Sequence, residues 1–255
     1  MEVFDAVVLA AGRLAAQEAK SAGVELKALA RVGESTPLHA MVGALRASRA
    51  VARVIVVGPG NIHGTLHEVD VWVDERASGE ENVLAGLHSA QTPRAIVTAS
   101  DAPFVDATHV DDFLSRVPDD ADFAYPVFSS DEFLSEFPEG RSTFARVGST
   151  LWTGGSLCVM NVALALRHAG LIGRGFRARK SQLAMASLLG VEGILRYVTG
   201  RLDIEDIEQR IGRLTGGRAA AIRGAHPALA MDCDSARDIA YVRNWARSNV
   251  PHEKR

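Results

Sequence analysis

Cysteine is nearly missing from this chain of 255 residues: Cys158 and Cys233 are the whole supply, and each stands in apolar or strand-like surroundings. Their spacing matches no cysteine metal site and reads as two buried thiols in a reduced compartment. Long hydrophobic runs are missing too. No uninterrupted apolar stretch approaches the ~20 residues of a membrane span. The opening Met-Glu-Val-Phe-Asp lacks the basic residues that begin a signal peptide. The expectation is a soluble cytoplasmic protein with no membrane partner. Nor is there an excess of positive charge, because 28 Lys and Arg face 31 Asp and Glu for a net charge of −3. No basic stretch is long enough for a nucleic-acid groove, so no nucleic-acid partner is expected. Small phosphorylated ligands stay open, since they need only a local cluster.

Missing motifs narrow the chemistry further. There is no G-x-G-x-x-G dinucleotide fingerprint, no G-x-x-x-x-G-K-[ST] phosphate loop and no G-x-S-x-G nucleophile elbow. His63 and His67 have metal-ligand spacing on an expected helix, but Gly64 lies between them and no third ligand is near, so both read as surface histidines.

What is present is an ordinary globular composition, 47% hydrophobic and 23% charged. The first half alternates strand-like and helix-like segments. Residues 5–10, 51–57, 69–73 and 95–100 read as strands; a segment opening at Pro37, with Leu38, Met41, Val42 and Leu45 on one face, and residues 78–90 and 106–117 read as helices. Thr36-Pro37 opens the first of these helices. Residues 13–27 read as a long loop with a helical turn. Strands joined by helical crossovers imply a mostly parallel sheet. After residue 120 the texture changes: strands over 122–128 and 149–160 flank an irregular insert at 129–146, a candidate acceptor lid. Residues 162–214 are mainly helical, 218–223 a last strand, and 235–247 a closing helix capped by Ser235. The expectation is a single domain over residues 1–247, with a nucleotide-binding half (1–120), an acceptor-binding half (121–247) and a polar tail (248–255).

Several constellations could carry chemistry. The strand ending at Ser100-Asp101 places a carboxylate at the carboxyl end of a buried strand, where open α/β sheets hold ligands. Asp101 can serve there as a divalent-metal ligand or as the cap of the next helix. Leu9-Ala10-Ala11-Gly12-Arg13 puts small residues beside a guanidinium after the first strand, a turn suited to phosphate or to tight packing. Lys27 has apolar neighbours that would fix its stem. Asp232 and Asp234 are two apart and share a face in extended backbone, and a helix cap explains one of them but not both. Thr153-Gly154-Gly155-Ser156 is a turn, a bulge or a close backbone approach. The basic cluster Arg174, Arg177, Arg179 and Lys180 is either a solvated helix or an anion clamp.

Together these segments resemble the MobA-like nucleotidyltransferase family. The resemblance rests on Val7-Val-Leu-Ala-Ala-Gly-Arg13, Lys27-Ala-Leu-Ala-Arg-Val-Gly33 with Pro37-Leu38, and Glu81-Asn82 with Ala85-Gly-Leu87. It continues through Thr98-Ala-Ser-Asp101-Ala-Pro103, Thr153-Gly-Gly155 and Met231-Asp-Cys-Asp-Ser-Ala-Arg-Asp238. It implies a glycosyltransferase-A-type fold: an α/β three-layer Rossmann-like sandwich with a mostly parallel, mixed central sheet. It implies an NTP wrapped by Leu9, Ala10, Ala11, Gly12 and Arg13, closed over by Lys27, with Asn82 near the base and Ser100 also binding the nucleotide. Asp101 and Asp234 would hold Mg²⁺, or alternatively Mn²⁺, and Arg13, Lys27 and Asp101 would be the catalytic set. Gly154, Gly155, Ser156 and Lys180 would meet a phosphorylated small-molecule acceptor, in a monomer or homodimer. The segment between Arg13 and Lys27 is longer than in molybdenum-cofactor enzymes, and Ser156 stands where related sequences often have asparagine. The expected reaction is NMP transfer with release of pyrophosphate. The alternatives are a molybdenum-cofactor guanylyl- or cytidylyltransferase, a nucleotide-sugar glycosyltransferase, or a non-catalytic nucleotide-binding relative.

Overall fold

The computed structural model describes residues 2–178 and 181–249. Short runs rich in valine, isoleucine and alanine form the parallel half of the sheet: β1 (Phe4–Leu9), β2 (Val51–Gly58), β3 (Val71–Asp74) and β4 (Arg94–Ala99), in spatial order β3-β2-β1-β4. Leu9 lies opposite Val57 of β2 and Ala99 of β4, so these strands end level and release their loops at one edge.

The other half is mixed. β8 (Leu157–Asn161) runs antiparallel between β4 and the start of β5 (Phe123–Ser129), and β9 (Ala219–Ile222) runs parallel to β5. The far end of β5, Val127 to Ser129, leaves this layer to pair with β7 (Thr150–Gly154), whose partner is β6 (Ala145–Val147). The sheet is therefore continuous across residue 120, where the two expected halves meet.

Alternation along the strands sends successive side chains to opposite faces. Ala6, Val8, Val54, Val56 and Ile96 face one core with Leu38, Met41 and Leu45 of α2 (Pro37–Ala47) and Val110 and Phe113 of α4 (Ala107–Arg116). Val7, Ile55, Val57 and Val97 face the other, against Val83 and Leu87 of α3 (Gly79–Ser89). Each such side chain, fully buried, stabilises by about 1.5–3 kcal/mol. Helices on both faces of a mixed, mostly parallel sheet make the three-layer α/β sandwich that was expected. Thr36 caps α2 by accepting from the His39 N–H, as its position before Pro37 suggests.

Some local expectations differ from the structure. Residues 13–27 contain a seven-residue helix, α1 (Ala16–Ala22), with no buried residue. It was hard to read because the residues it packs on the core, Ala19 and Ala22, are small and only half-buried, and two turns give little periodic signal. The insert at 129–146 is not irregular: Ser129 and Glu132 form a capping box that opens α5 (Ser130–Glu136), and β6 follows. His63 and His67 lie at and beyond the end of a 3-10 turn rather than on an α-helix, and His63 stacks on Trp72 at 5.2 Å. Residues 162–215 carry α6 (Val162–Arg167), α7 (Ala169–Ala178), α8 (Gln182–Leu188), α9 (Gly190–Val198) and α10 (Ile204–Thr215). The closing helix α11 (Ala236–Asn249) runs two residues past its expected end, and residues 250–255 lie outside the described residues. Among the described residues no helix is long and apolar enough to cross a membrane.

Candidate active site

The loop after β1 is built by hydrogen bonds at its base. Ala10 N–H donates to Val57 O at 2.8 Å, and Ser100 N–H donates to Leu9 O at 3.2 Å. The backbone then leaves the sheet through Ala11 and Gly12, makes an excursion through α1, and returns. Leu14 N–H donates to Glu25 O and Lys27 N–H to Gly12 O, both at 2.9 Å, with a bridge pairing Arg13 and Leu26 between them. This stitching closes the neck of the loop and sets Lys27 beside Gly12. α1 ends at Gly23, whose φ of 72° a side chain would strain. Glu18 of α1 accepts from Ala236 N–H at 2.5 Å, tying the loop to the start of α11.

The same neck brings the expected acids together. Lys27 Nζ donates to Asp234 and lies 3.9 Å from Asp101 Oδ2. Cys233 N–H donates to Asp101 O at 2.9 Å, which pins the Asp232–Asp234 segment to the end of β4. Burial alone would push the Lys27 ammonium down, but Asp234, Asp101 and Asp232 hold it above its usual range. Asp232 is half-buried beside them: loss of water and the charges of Asp234 and Asp101 push its carboxyl well above the ordinary range. Asp234 is the open one, its side chain 62% exposed. Asp101 does not cap α4. Asp106 does, in a reciprocal capping box with His109.

Arg13 stands at the mouth of this loop. Glu75, just past β3, takes two guanidinium N–H bonds at 2.6 and 2.7 Å; Glu25 takes Nε–H at 3.1 Å, and Ala11 O takes another at 3.1 Å. Neither glutamate was singled out from sequence. Glu75 carried a readable signal, an acid directly after a strand, the same signal that marked Asp101.

The other expected site residues are more committed to the scaffold. Asn82 is buried in the first turn of α3, and its side-chain oxygen accepts from Arg76 N–H at 2.6 Å. It thereby holds the loop leading from Glu75 to α3. At Gly154 an added Cβ would land on the Tyr125 ring; at Gly155 it would lie 2.7 Å from Pro126 Cγ and 3.0 Å from Leu229 O. The close approach at the two glycines is thus to the protein itself. Ser156 donates from N–H and Oγ to Leu229 O, at 2.7 and 3.0 Å. Of the basic cluster, Arg177 reaches Glu80 at 3.4 Å, while Arg179 and Lys180 lie outside the described residues.

Among the described residues, no three His, Cys, Asp or Glu side chains meet as a ready metal cage. Asp101 and Asp234 nevertheless offer hard carboxylate oxygens from two separate elements around one cation, Lys27. Such a pair suits Mg²⁺, which binds through one or two carboxylates and completes its shell with substrate phosphates and water. The residues gathered here include no serine–histidine or cysteine–histidine pair. The arrangement can neutralise and orient phosphates, and its chemistry is that of charge rather than of a protein nucleophile.

Comparison with known proteins bears on the family and the fold. Residues 6–196 match the MobA-like NTP transferase domain. A hypothetical transferase from Thermus thermophilus is 27% identical, with a TM-score of 0.80 over 94% of this chain and 100% of that one. Two further structures share the fold at lower identity. One is 2-C-methyl-D-erythritol 4-phosphate cytidylyltransferase, also from Thermus thermophilus, at 20% identity and TM-score 0.55 over 97% of this chain and 100% of that one. The other is a CMP:2-keto-3-deoxy-manno-octonic acid synthetase complexed with CTP, at 12% identity and TM-score 0.57 over 98% and 100%. No curated protein matches the chain.

Proposed function

The chain belongs to the MobA-like NTP transferase family and is a nucleotidyltransferase; from that premise we propose that it moves NMP from an NTP to a phosphorylated small-molecule acceptor. The observation that supports this is the meeting of Lys27, Asp101 and Asp234 at the edge where the parallel strands end. An acceptor phosphate, already ionised, attacks the α-phosphorus. The bond to the β-phosphate oxygen breaks, and pyrophosphate departs. Such a nucleophile needs no protein base, in keeping with the residues present. Catalysis is then positioning and charge neutralisation.

In this reading the small residues from Leu9 to Gly12 let the triphosphate approach the backbone, and Lys27 turns from Asp234 to the phosphates. Arg13 adds a second cation for the leaving pyrophosphate. Asp101 and Asp234 hold a divalent cation, Mg²⁺ or Mn²⁺, which when bound neutralises phosphate charge. The Cys233 N–H bond to Asp101 O keeps the segment against the end of β4, with Asp232 half-buried behind them. Asn82 supports the loop on the base side. Gly154, Gly155 and Ser156 shape the wall toward the acceptor half.

The test is a pyrophosphate-release screen of the four NTPs against sugar phosphates and related phosphorylated acceptors, with Mg²⁺. At least one pair should turn over in the wild type, and Asp101→Ala should lower that rate at least ~10³-fold, the scale of losing a principal charge-stabilising group. A fully active Asp101→Ala enzyme rules out this assignment of the site.

A further inference from the structure

We propose that Glu75 is a positioning residue that aims one edge of the Arg13 guanidinium at the NTP, and that Glu25 merely covers that edge until the phosphates arrive. This rests on the nucleotidyltransferase reading. A guanidinium has an end-on edge, formed by its two terminal nitrogens, and a side-on edge, formed by Nε and the adjacent terminal nitrogen. The end-on edge is taken: Nη1 and Nη2 bond both Glu75 oxygens, at 2.7 and 2.6 Å. The remaining Nη1 N–H goes back to Ala11 O at 3.1 Å, which fixes the plane of the group against its own loop.

The side-on edge is different. Among the described residues it is met by Glu25 alone, through Nε–H at 3.1 Å, and the second N–H of Nη2 points the same way. The two glutamates are also held differently. The Glu75 side chain is 25% exposed and follows directly on a strand, where its own N–H donates to Gly58 O at 3.0 Å. The Glu25 side chain is 72% exposed and holds Arg13 through one oxygen. A planar, two-donor edge matches a phosphate as well as it matches a carboxylate. The phosphate therefore displaces the loosely held Glu25, while Glu75 keeps the opposite edge fixed.

The two acids then have opposite mutational signatures. The probes are Mg²⁺-CTP and Mg²⁺-GTP, titrated calorimetrically into the full chain. Glu75→Ala should weaken the tighter of the two by about ten-fold, and Glu25→Ala should leave it unchanged or tighten it. In an Arg13→Ala background, Glu75→Ala should have no further effect, because it acts only through Arg13. Equal weakening by both substitutions, or a Glu75→Ala effect that persists without Arg13, overturns the proposal. If neither nucleotide binds the wild type, the titration is repeated with Mg²⁺-ATP and Mg²⁺-UTP; if none of the four binds, the nucleotidyl-transfer reading is what fails, and amide exchange decides the rest. Glu75→Ala should speed exchange at Leu14 and Lys27 while Glu25→Ala does not; unchanged exchange in Glu75→Ala overturns the holding role by itself.

Discussion

An aspartate that follows a strand can cap the next helix or face a cleft, and Asp101 and Asp106 divide these tasks between them. Asp106 Oδ1 accepts from His109 N–H at 3.0 Å and opens α4. Asp101 stands five positions earlier, within 3.9 Å of Lys27. The two should separate cleanly on mutation. Asp106→Ala should lower stability by about 1 kcal/mol in urea denaturation and retain turnover. Asp101→Ala should hold the denaturation midpoint and lose turnover; the reverse pattern would exchange their roles. Much of the site was legible at this scale. Asp101 and Arg13 were singled out after strands, Lys27 by its apolar context, and Asp234 by its pairing with Asp232 ahead of a helix. Glu75 and Glu25 were not: Glu75 showed only an acid after a strand, and the bonds of both to Arg13, across 62 and 12 residues of sequence, are a relation that no local pattern encodes.

Among the elements, α1 depends most on its neighbours. A helix of seven residues is marginal alone, and this one fully buries no residue, packing only Ala19 and Ala22 part-way against the core. Beyond that packing it is fastened by Glu18, whose carboxylate accepts from Ala236 N–H at the amino end of α11, where the helix dipole favours an anion. Glu18→Ala should therefore speed hydrogen exchange at Ala19 and Gly23, with the global unfolding midpoint unchanged. Undisturbed exchange there would mean that the neck bonds at Leu14 and Lys27 suffice. The same logic explains which elements the sequence displayed. α2 and α3 press an apolar stripe on the sheet and have Thr36 and Ser78 as caps, so periodicity and capping agree. α1 has neither signal. α5 has a capping box but only Phe133 buried, and its short length hid it in a stretch that read as irregular.

Taken whole, the molecule has one sheet running through both expected halves. β8 lies between β4 and β5, so residues 157–161 complete a layer begun by residues 4–99. The proposal that follows is a single cooperative unit over both halves. Urea unfolding followed by far-UV circular dichroism and by tryptophan fluorescence should give coincident curves, since Trp72, Trp152 and Trp245 report from β3, β7 and α11. Two separated transitions would show that the halves unfold independently. By itself the amino-acid sequence determined the strands of the parallel half, the faces of α2, α3 and α4, and the identity of the acids at the strand ends. Those features rest on local periodicity and on residue chemistry, which are written in consecutive positions. Only the tertiary structure decided that Lys27 sits between Asp101 and Asp234, that Asp232 is half-buried while Asp234 is open, and that Arg13 is gripped by Glu75. Each of these is a contact between distant segments, made because parallel strands in register release their loops at one edge, and charges brought together there must find partners.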